Sequence, residues 1–309
     1  MNICDFDYIA ALLKDRSGLI ITPDKTYLLD ARLMPIARAQ KLASLEQLIG
    51  EMRSMKSETL INAVVDAMTT NETSFFRDRH PFNAMKKDIL PGLIQQRAAQ
   101  KHLRIWSAAC STGQEAYSLS MMLRDEFPML ASWRIEIIGT DISPSVVARA
   151  KEGVYSNFEV QRGLPIQMLV KHFEQTGEQW KIKPELRKMV DFRLFNLLGD
   201  LAPLGQFDVI LCRNVLIYFD LPTKSRILDA MHQRLSRDGA LILGGAESVF
   251  GICNKFTDIA GLRGVYASAS ANRNVRPNEA AVGQAGAAFA LAAGGFKTAP
   301  LRAANSRRD

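Results

Sequence analysis

The chain holds only four cysteines and four histidines, and they are badly spaced for metal or disulfide chemistry. Cys4, Cys110, Cys212 and Cys253 stand far apart, no two are spaced CxxC, and no HxxxH occurs. Neither a disulfide framework nor a zinc site is expected, and no metal site is assigned. Reduced thiols in the cytoplasm are the simpler reading. No basic–apolar–small-residue leader follows Met1, so no secretory signal is read. Long hydrophobic runs are missing too. The longest uncharged stretch, Ala280–Phe296, is mostly Ala and Gly, too short and too weakly apolar to span a bilayer, so no membrane insertion is expected. The glycine-rich GxGxxG phosphate cradle is also lacking.

The net charge of +7 is not an excess of the body of the chain. From Ala269 to Asp309 six basic residues face two acidic ones, so this segment carries +4 of the total. The pI therefore gives no ground for a nucleic-acid partner. What remains is an ordinary globular composition, 47% hydrophobic and 23% charged over 309 residues, enough for two domains.

Residues 1–70 read as an all-helical domain. Ile3, Phe6, Ile9 and Leu13 recur at helical spacing, Ser44 with Gln47 has the form of a capping box, and Leu60, Ile61, Val64, Val65 and Met68 form another stripe. Residues 71–101 form a linker and a connecting helix that starts at Pro81 and is expected to bend or break at Pro91. Residues 102–268 change character. Leu103–Ala109, Arg134–Thr140, Phe207–Cys212 and Ala240–Gly244 read as strands, alternating with helices that start near Gln114, at Ser143-Pro144 and at Pro222. That alternation predicts a largely parallel α/β sheet. Residues 153–190, with a strand at Gln179–Ile182, interrupt it as an inserted subdomain. Residues 269–309 lack spaced large apolar residues and read as a disordered tail.

In an open α/β sheet, ligands bind beyond the carboxyl ends of the strands. The first strand runs into Cys110-Ser111-Thr112-Gly113-Gln114-Glu115, whose single glycine does not support phosphate binding. The second ends in Gly139-Thr140-Asp141. An acid there can accept both ribose hydroxyls of a nucleoside, or simply cap the next helix, and position alone leaves both open. Without a phosphate cradle, a nucleoside ligand such as S-adenosylmethionine is favoured over a nicotinamide cofactor. The third strand ends in Arg213, Asn214 and, four residues on, Tyr218, which is either a site residue or a half-buried packing tyrosine.

Taken together, Asn71-Glu72-Thr73-Ser74-Phe75-Phe76-Arg77, Trp106–Glu115, Gly139–Ser143, Cys212–Phe219 and Gly244-Gly245-Ala246-Glu247-Ser248 resemble the signatures of CheR-type chemotaxis receptor methyltransferases. The resemblance spans about residues 1–268, in family order. It implies an S-adenosylmethionine-dependent methyltransferase sheet (Rossmann-like) with an N-terminal all-helical domain and a small inserted β subdomain. It implies transfer of a methyl group from S-adenosylmethionine to glutamates on the cytoplasmic helices of chemoreceptors, leaving γ-methyl esters and S-adenosylhomocysteine. By position, Asn71, Thr73, Arg77, Glu115, Asp141, Asn196, Leu197, Arg213 and Asn214 match cofactor-site positions of the family. Arg77 and Tyr218 match the residues nearest the reacting methyl group. A monomer is expected.

A glutamate carboxylate is already ionised at neutral pH and needs no general base, so holding it in line with the methyl group is the main task. The fork of donors on Arg77 suits a carboxylate, either of the substrate or of the cofactor's methionine end. Cys110 and Cys212 read as packing residues. Arg32, Arg38 and Lys41 form a local basic patch that is either a solvated helix face or an attraction for acidic receptor helices. In some family members the β subdomain binds a peptide at the receptor's extreme C-terminus by strand addition. The compact His172–Trp180 segment leaves that docking mode open here.

Overall fold

The computed structural model describes residues 3–55 and 57–271. Most of the segment read as a tail, residues 272–309, lies outside the described residues.

The chain opens with four helices, α1 (Ile3–Ser17), α2 (Thr26–Ala39), α3 (Leu45–Met55) and α4 (Glu58–Met68). Their apolar stripes close on one another: Ile9, Leu13, Leu29, Leu33, Leu48, Ile49, Met52, Val64 and Met68 form a core of their own. At Ser44 the hydroxyl accepts from Gln47 N–H, but the Gln47 side chain reaches back to Ala43 N–H, one residue short of a full capping box. Arg32 is not part of a free basic patch. Its guanidinium donates to the Met68 and Thr69 carbonyls and the Thr70 hydroxyl, tying α2 to the exit of α4. Arg38 and Lys41 are exposed.

The connecting helix runs through Pro91 without breaking. α5 (His80–Ala84) passes through a π-helical turn, Met85–Ile89, into α6 (Leu90–Gln96). Leu90 N–H reaches the Met85 carbonyl five residues back, and Pro91, with no N–H to give, falls in the turn after this widening.

The remaining elements are β1 (His102–Ala108), α7 (Gln114–Glu126), β2 (Arg134–Asp141), α8 (Pro144–Glu152), β3 (Val154–Ser156), α9 (Asn157–Gln161), α10 (Ile166–His172), β4 (Phe173–Thr176), β5 (Gln179–Ile182), α11 (Pro184–Arg187), β6 (Val190–Leu194), β7 (Phe207–Cys212), α12 (Leu221–Arg234), β8 (Leu235–Leu243), β9 (Phe256–Asp258) and β10 (Val265–Ser268). Seven strands form one sheet in the order β6-β2-β1-β7-β8-β10-β9, parallel from β6 to β8, with β10 antiparallel to both neighbours. Chain order reverses between β1 and β7, which makes their carboxyl ends the switch point. Every residue of β7 is buried, as expected of a central parallel strand covered on both faces. Two cores lie against the sheet, one including Leu103, Ile105 and Leu119, the other including Trp106, Ile210 and Leu228.

The inserted segment forms a second sheet of three antiparallel strands in the order β3-β5-β4. The turn Arg162-Gly163 sits directly on the segment before α5. A Cβ at Gly163, whose φ is +89°, would lie 2.1 Å from the Phe75 carbonyl oxygen. Among the described residues, no helix is long and apolar enough to cross a membrane.

Candidate active site

A cleft opens at the switch point. Its lining comes from the carboxyl ends of β1, β2 and β7, the Thr69–Thr73 segment with Arg77, and the α1 exit at Ser17 and Leu19. Ala109 (φ 56°), Ser111 (φ 51°) and Asn214 (φ 59°) line it in left-handed conformations, and Phe76, Asp78 and Arg79, on either side of Arg77, also hold positive φ. Such backbone costs about 1–3 kcal/mol per residue and collects where a site over-determines it. Gly113, with φ 93°, lets Phe192 of β6 pack close: a Cβ there would lie 2.9 Å from the ring. The glycine serves packing, consistent with the absence of a phosphate cradle.

Asp141 ends β2 and is buried. One carboxylate oxygen accepts Ser111 N–H (2.8 Å) and the other Ser143 N–H (3.0 Å). It therefore joins two loops at the mouth of the cleft. The cap of α8 is Ser143 itself, whose hydroxyl accepts from Val146 N–H. Burial pushes the Asp141 carboxyl above the usual aspartate range, against the backbone donors that favour its ionised form.

Beneath the cleft lies a buried ionic network. Arg213 donates through Nη1 to Glu115 Oε2 (2.8 Å), and through Nη2 to the Arg77 carbonyl (2.9 Å) and Asp78 Oδ2 (2.8 Å). Ser107 Oγ donates to the other Glu115 oxygen (2.7 Å). The network ties β1, α7 and β7 to the turn that carries Arg77, and it leaves Arg213 Nε buried without a partner. Arg77 itself donates to the Glu72 carbonyl (2.8 Å). The Asn71 carbonyl accepts from Ser111 Oγ (2.7 Å), which closes the linker over the β1 loop.

Tyr218 lines the cleft, half-buried, and its hydroxyl has no protein partner among the described residues. Its carbonyl accepts Ile20 N–H from the helical domain (3.0 Å). Cys110 also lines the cleft, and both Cys110 and Cys212 are buried. Burial holds both thiols well above the ordinary range, so they are neutral packing groups. Among the described residues, no histidine lines the cleft.

Of the residues expected from the sequence, the cleft gathers Asn71, Thr73, Arg77, Glu115, Asp141, Arg213, Asn214 and Tyr218. Asn196 and Leu197 are not in its lining. Asn196 instead donates to the Arg16 carbonyl at the end of α1 (2.7 Å) and accepts from Leu198 N–H, while Leu197 packs into the core beside β7. One residue whose role the sequence left unstated is Glu247, which binds the loop after β7.

Residues 71–265 match the family model for the CheR methyltransferase SAM binding domain, and residues 5–69 match the CheR methyltransferase all-alpha domain. Chemotaxis protein methyltransferase Cher2 of Pseudomonas putida is 39% identical over 253 residues, covering 80% of this chain and 91% of that protein. Chemotaxis protein methyltransferase 1 of Pseudomonas aeruginosa is 41% identical over 250 residues, covering 79% and 90%. A chemotaxis protein methyltransferase of Vibrio parahaemolyticus is 38% identical over 262 residues, covering 83% and 94%.

Proposed function

The chain belongs to the CheR methyltransferase family, and from that premise we propose that it methylates glutamate side chains of chemoreceptors with S-adenosylmethionine. The products are glutamate γ-methyl esters and S-adenosylhomocysteine, and the role is sensory adaptation. It acts in the cytoplasm, as a monomer, on the receptor's cytoplasmic helical region. β4 is an edge strand of the inserted sheet, the place where a receptor C-terminal peptide would add a strand.

The observation that carries this reading is the meeting of Asp141, Arg77 and Tyr218 around one cleft at the switch point. Its residues fit the cofactor. A buried carboxylate ends β2, and Arg213 Nε and the Tyr218 hydroxyl lack protein partners among the described residues. Asp141 would accept the ribose hydroxyls, and Asn71, Thr73, Glu115, Arg213 and Asn214 would surround the remaining polar groups. S-adenosylmethionine supplies a methyl group on a sulfonium whose leaving group is a neutral thioether. The chain's own task is alignment. A glutamate carboxylate arrives ionised, so the absence of histidine from the lining costs nothing. Arg77 offers a carboxylate a charged fork of donors and Tyr218 offers a hydroxyl. Together they hold the nucleophile in line, where a misplacement of about 1 Å costs roughly a hundredfold in rate.

Incubation with radiolabelled S-adenosylmethionine and receptor-containing membranes tests the proposal. Base-labile label on the receptor is expected. Base-stable label, or none, would overturn it.

A further inference from the structure

Glu247 follows β8 in Gly244-Gly245-Ala246-Glu247-Ser248 and is buried. Its carboxylate takes four backbone N–H groups. Oε1 accepts Val215 (2.9 Å) and Leu216 (2.7 Å), and Oε2 accepts Asn214 (2.7 Å) and Gly244 (2.7 Å). Its own N–H donates to the Gly244 carbonyl (2.9 Å), closing the turn beneath it. Among the described residues, no cationic side chain pairs with it, so its partners are all backbone donors.

These donors matter because of where they lie. Val215 and Leu216 open the 3₁₀ turn Leu216–Tyr218, whose first N–H groups have no partner within the turn. Asn214 holds φ 59°, a conformation that needs outside support. The close fit depends on Gly244, where a Cβ would lie 2.6 Å from Glu247 Oε2 and 2.9 Å from Asn214 N. The turn so fixed delivers Tyr218, whose N–H donates to the Val215 carbonyl (3.1 Å). Glu247 thus fastens the loop after β8 to the loop after β7 and sets the height at which Tyr218 enters the cleft.

We propose that Glu247 is a positioning residue for methyl transfer, acting through the backbone of Asn214–Leu216 on Tyr218. This rests on the reading of Tyr218 as a residue that aligns the substrate carboxylate. The chemistry required is that of an acceptor alone. Glutamine matches the shape of glutamate but turns one acceptor oxygen into an NH₂ donor, facing N–H groups that are also donors. E247Q should therefore fail although it conserves size.

The test compares wild type, E247Q, Y218F and the double variant. Amide hydrogen exchange at residues 214–218 and calorimetric affinity for S-adenosylhomocysteine are read beside single-turnover methylation at saturating S-adenosylmethionine. In E247Q the 214–216 amides should exchange at least about tenfold faster, and the turnover rate should fall by more than the affinity, approaching the roughly hundredfold cost of a misplacement near 1 Å. In the Y218F background E247Q should cost less than about threefold more, because two residues acting through one group are not additive. If E247Q does not fold, E247D carries the same comparison, with a shorter reach to the same donors. A folded E247Q with wild-type exchange and rate would overturn the clamp while a slow Y218F left the reading of Tyr218 standing. A wild-type rate for Y218F beside a slow E247Q would overturn the route through Tyr218, as would equal losses in both backgrounds.

Discussion

Arg213 at the end of β7 and Glu115 in the first turn of α7 meet at 2.8 Å, with only 2% and 11% of their side chains exposed. Each is the other's principal counter-charge, and Asp78, half-exposed, shares Arg213 at the same distance. Removing one member of a buried pair strands the other, at about 3–5 kcal/mol.

Glu115→Ala should therefore destabilise the fold by about 3 kcal/mol, the lower end of that range because Asp78 remains. Urea unfolding followed by circular dichroism measures it. A loss under about 0.5 kcal/mol, in the range of an exposed ion pair, would show that the network does not hold the floor of the cleft.

Asp141→Ala should weaken S-adenosylhomocysteine binding strongly, since loss of two ribose hydrogen bonds costs on the order of 1–3 kcal/mol each. The pH dependence has a definite sign. Burial raises the Asp141 carboxyl above its ordinary 3.8, and only the carboxylate accepts from both hydroxyls. Affinity should then fall on acidification, beginning at a higher pH than a free aspartate would dictate. Calorimetry as a function of pH reads both effects, and unchanged affinity in the variant removes Asp141 from the site.

Tyr218→Phe should lower turnover more than cofactor affinity. The variant keeps the ring and the backbone bond to Ile20 and loses only the hydroxyl. Single-turnover methylation beside calorimetric affinity separates alignment from binding. Parallel losses would make Tyr218 a cofactor ligand, and a wild-type rate would make it a packing residue.

Gly163→Ala should destabilise the protein by about 1–3 kcal/mol, as overpacking does, because the new methyl meets the Phe75 carbonyl in a left-handed turn. The strain falls on the segment leading to Arg77, so activity should drop as well. Thermal unfolding and a methylation assay check the two together.

Native-state alkylation should modify Cys4, which is exposed, and spare Cys110 and Cys212, whose buried thiols stay protonated. Mass spectrometry of iodoacetamide-treated protein identifies the modified residues.

The elements that were legible in the sequence are those whose signal is local. β5 and β7 fall on the predicted residues, and β1 and β2 within one residue at each end. Ser143-Pro144 starts α8 as its cap chemistry requires. β6 (Val-Asp-Phe-Arg-Leu) does alternate apolar and polar residues, but it is only five residues long and follows a long insertion, so its signal is short and displaced from the strand–helix rhythm. β9 and β10 have three and four residues; β10 exists through pairing with β8 and β9 through pairing with β10, partners that no short window along the chain contains. In the site, strand ends point to Asp141 and Arg213. The family resemblance also pointed to Asn196, whose side chain bonds to the Arg16 carbonyl of a distant helix, a partner that its neighbours in sequence do not reveal. Glu247 was opaque for a related reason: its partners are main-chain donors, and those carry no residue identity.

The cleft belongs to neither the helical domain nor the sheet alone, because Ser17 and Leu19 line it together with Asp141 and Asn214, and Ile20 bonds to Tyr218. A ligand held there acts as a thermodynamic cross-link. The stabilisation it confers, about 2.7 kcal/mol at a hundredfold excess over Kd, is lost if either part melts, so it acts on both at once. Any difference in melting temperature between the helical domain and the sheet should narrow as S-adenosylhomocysteine is added. The four-helix segment, remote from the sheet in sequence, is thereby made to report on cofactor occupancy.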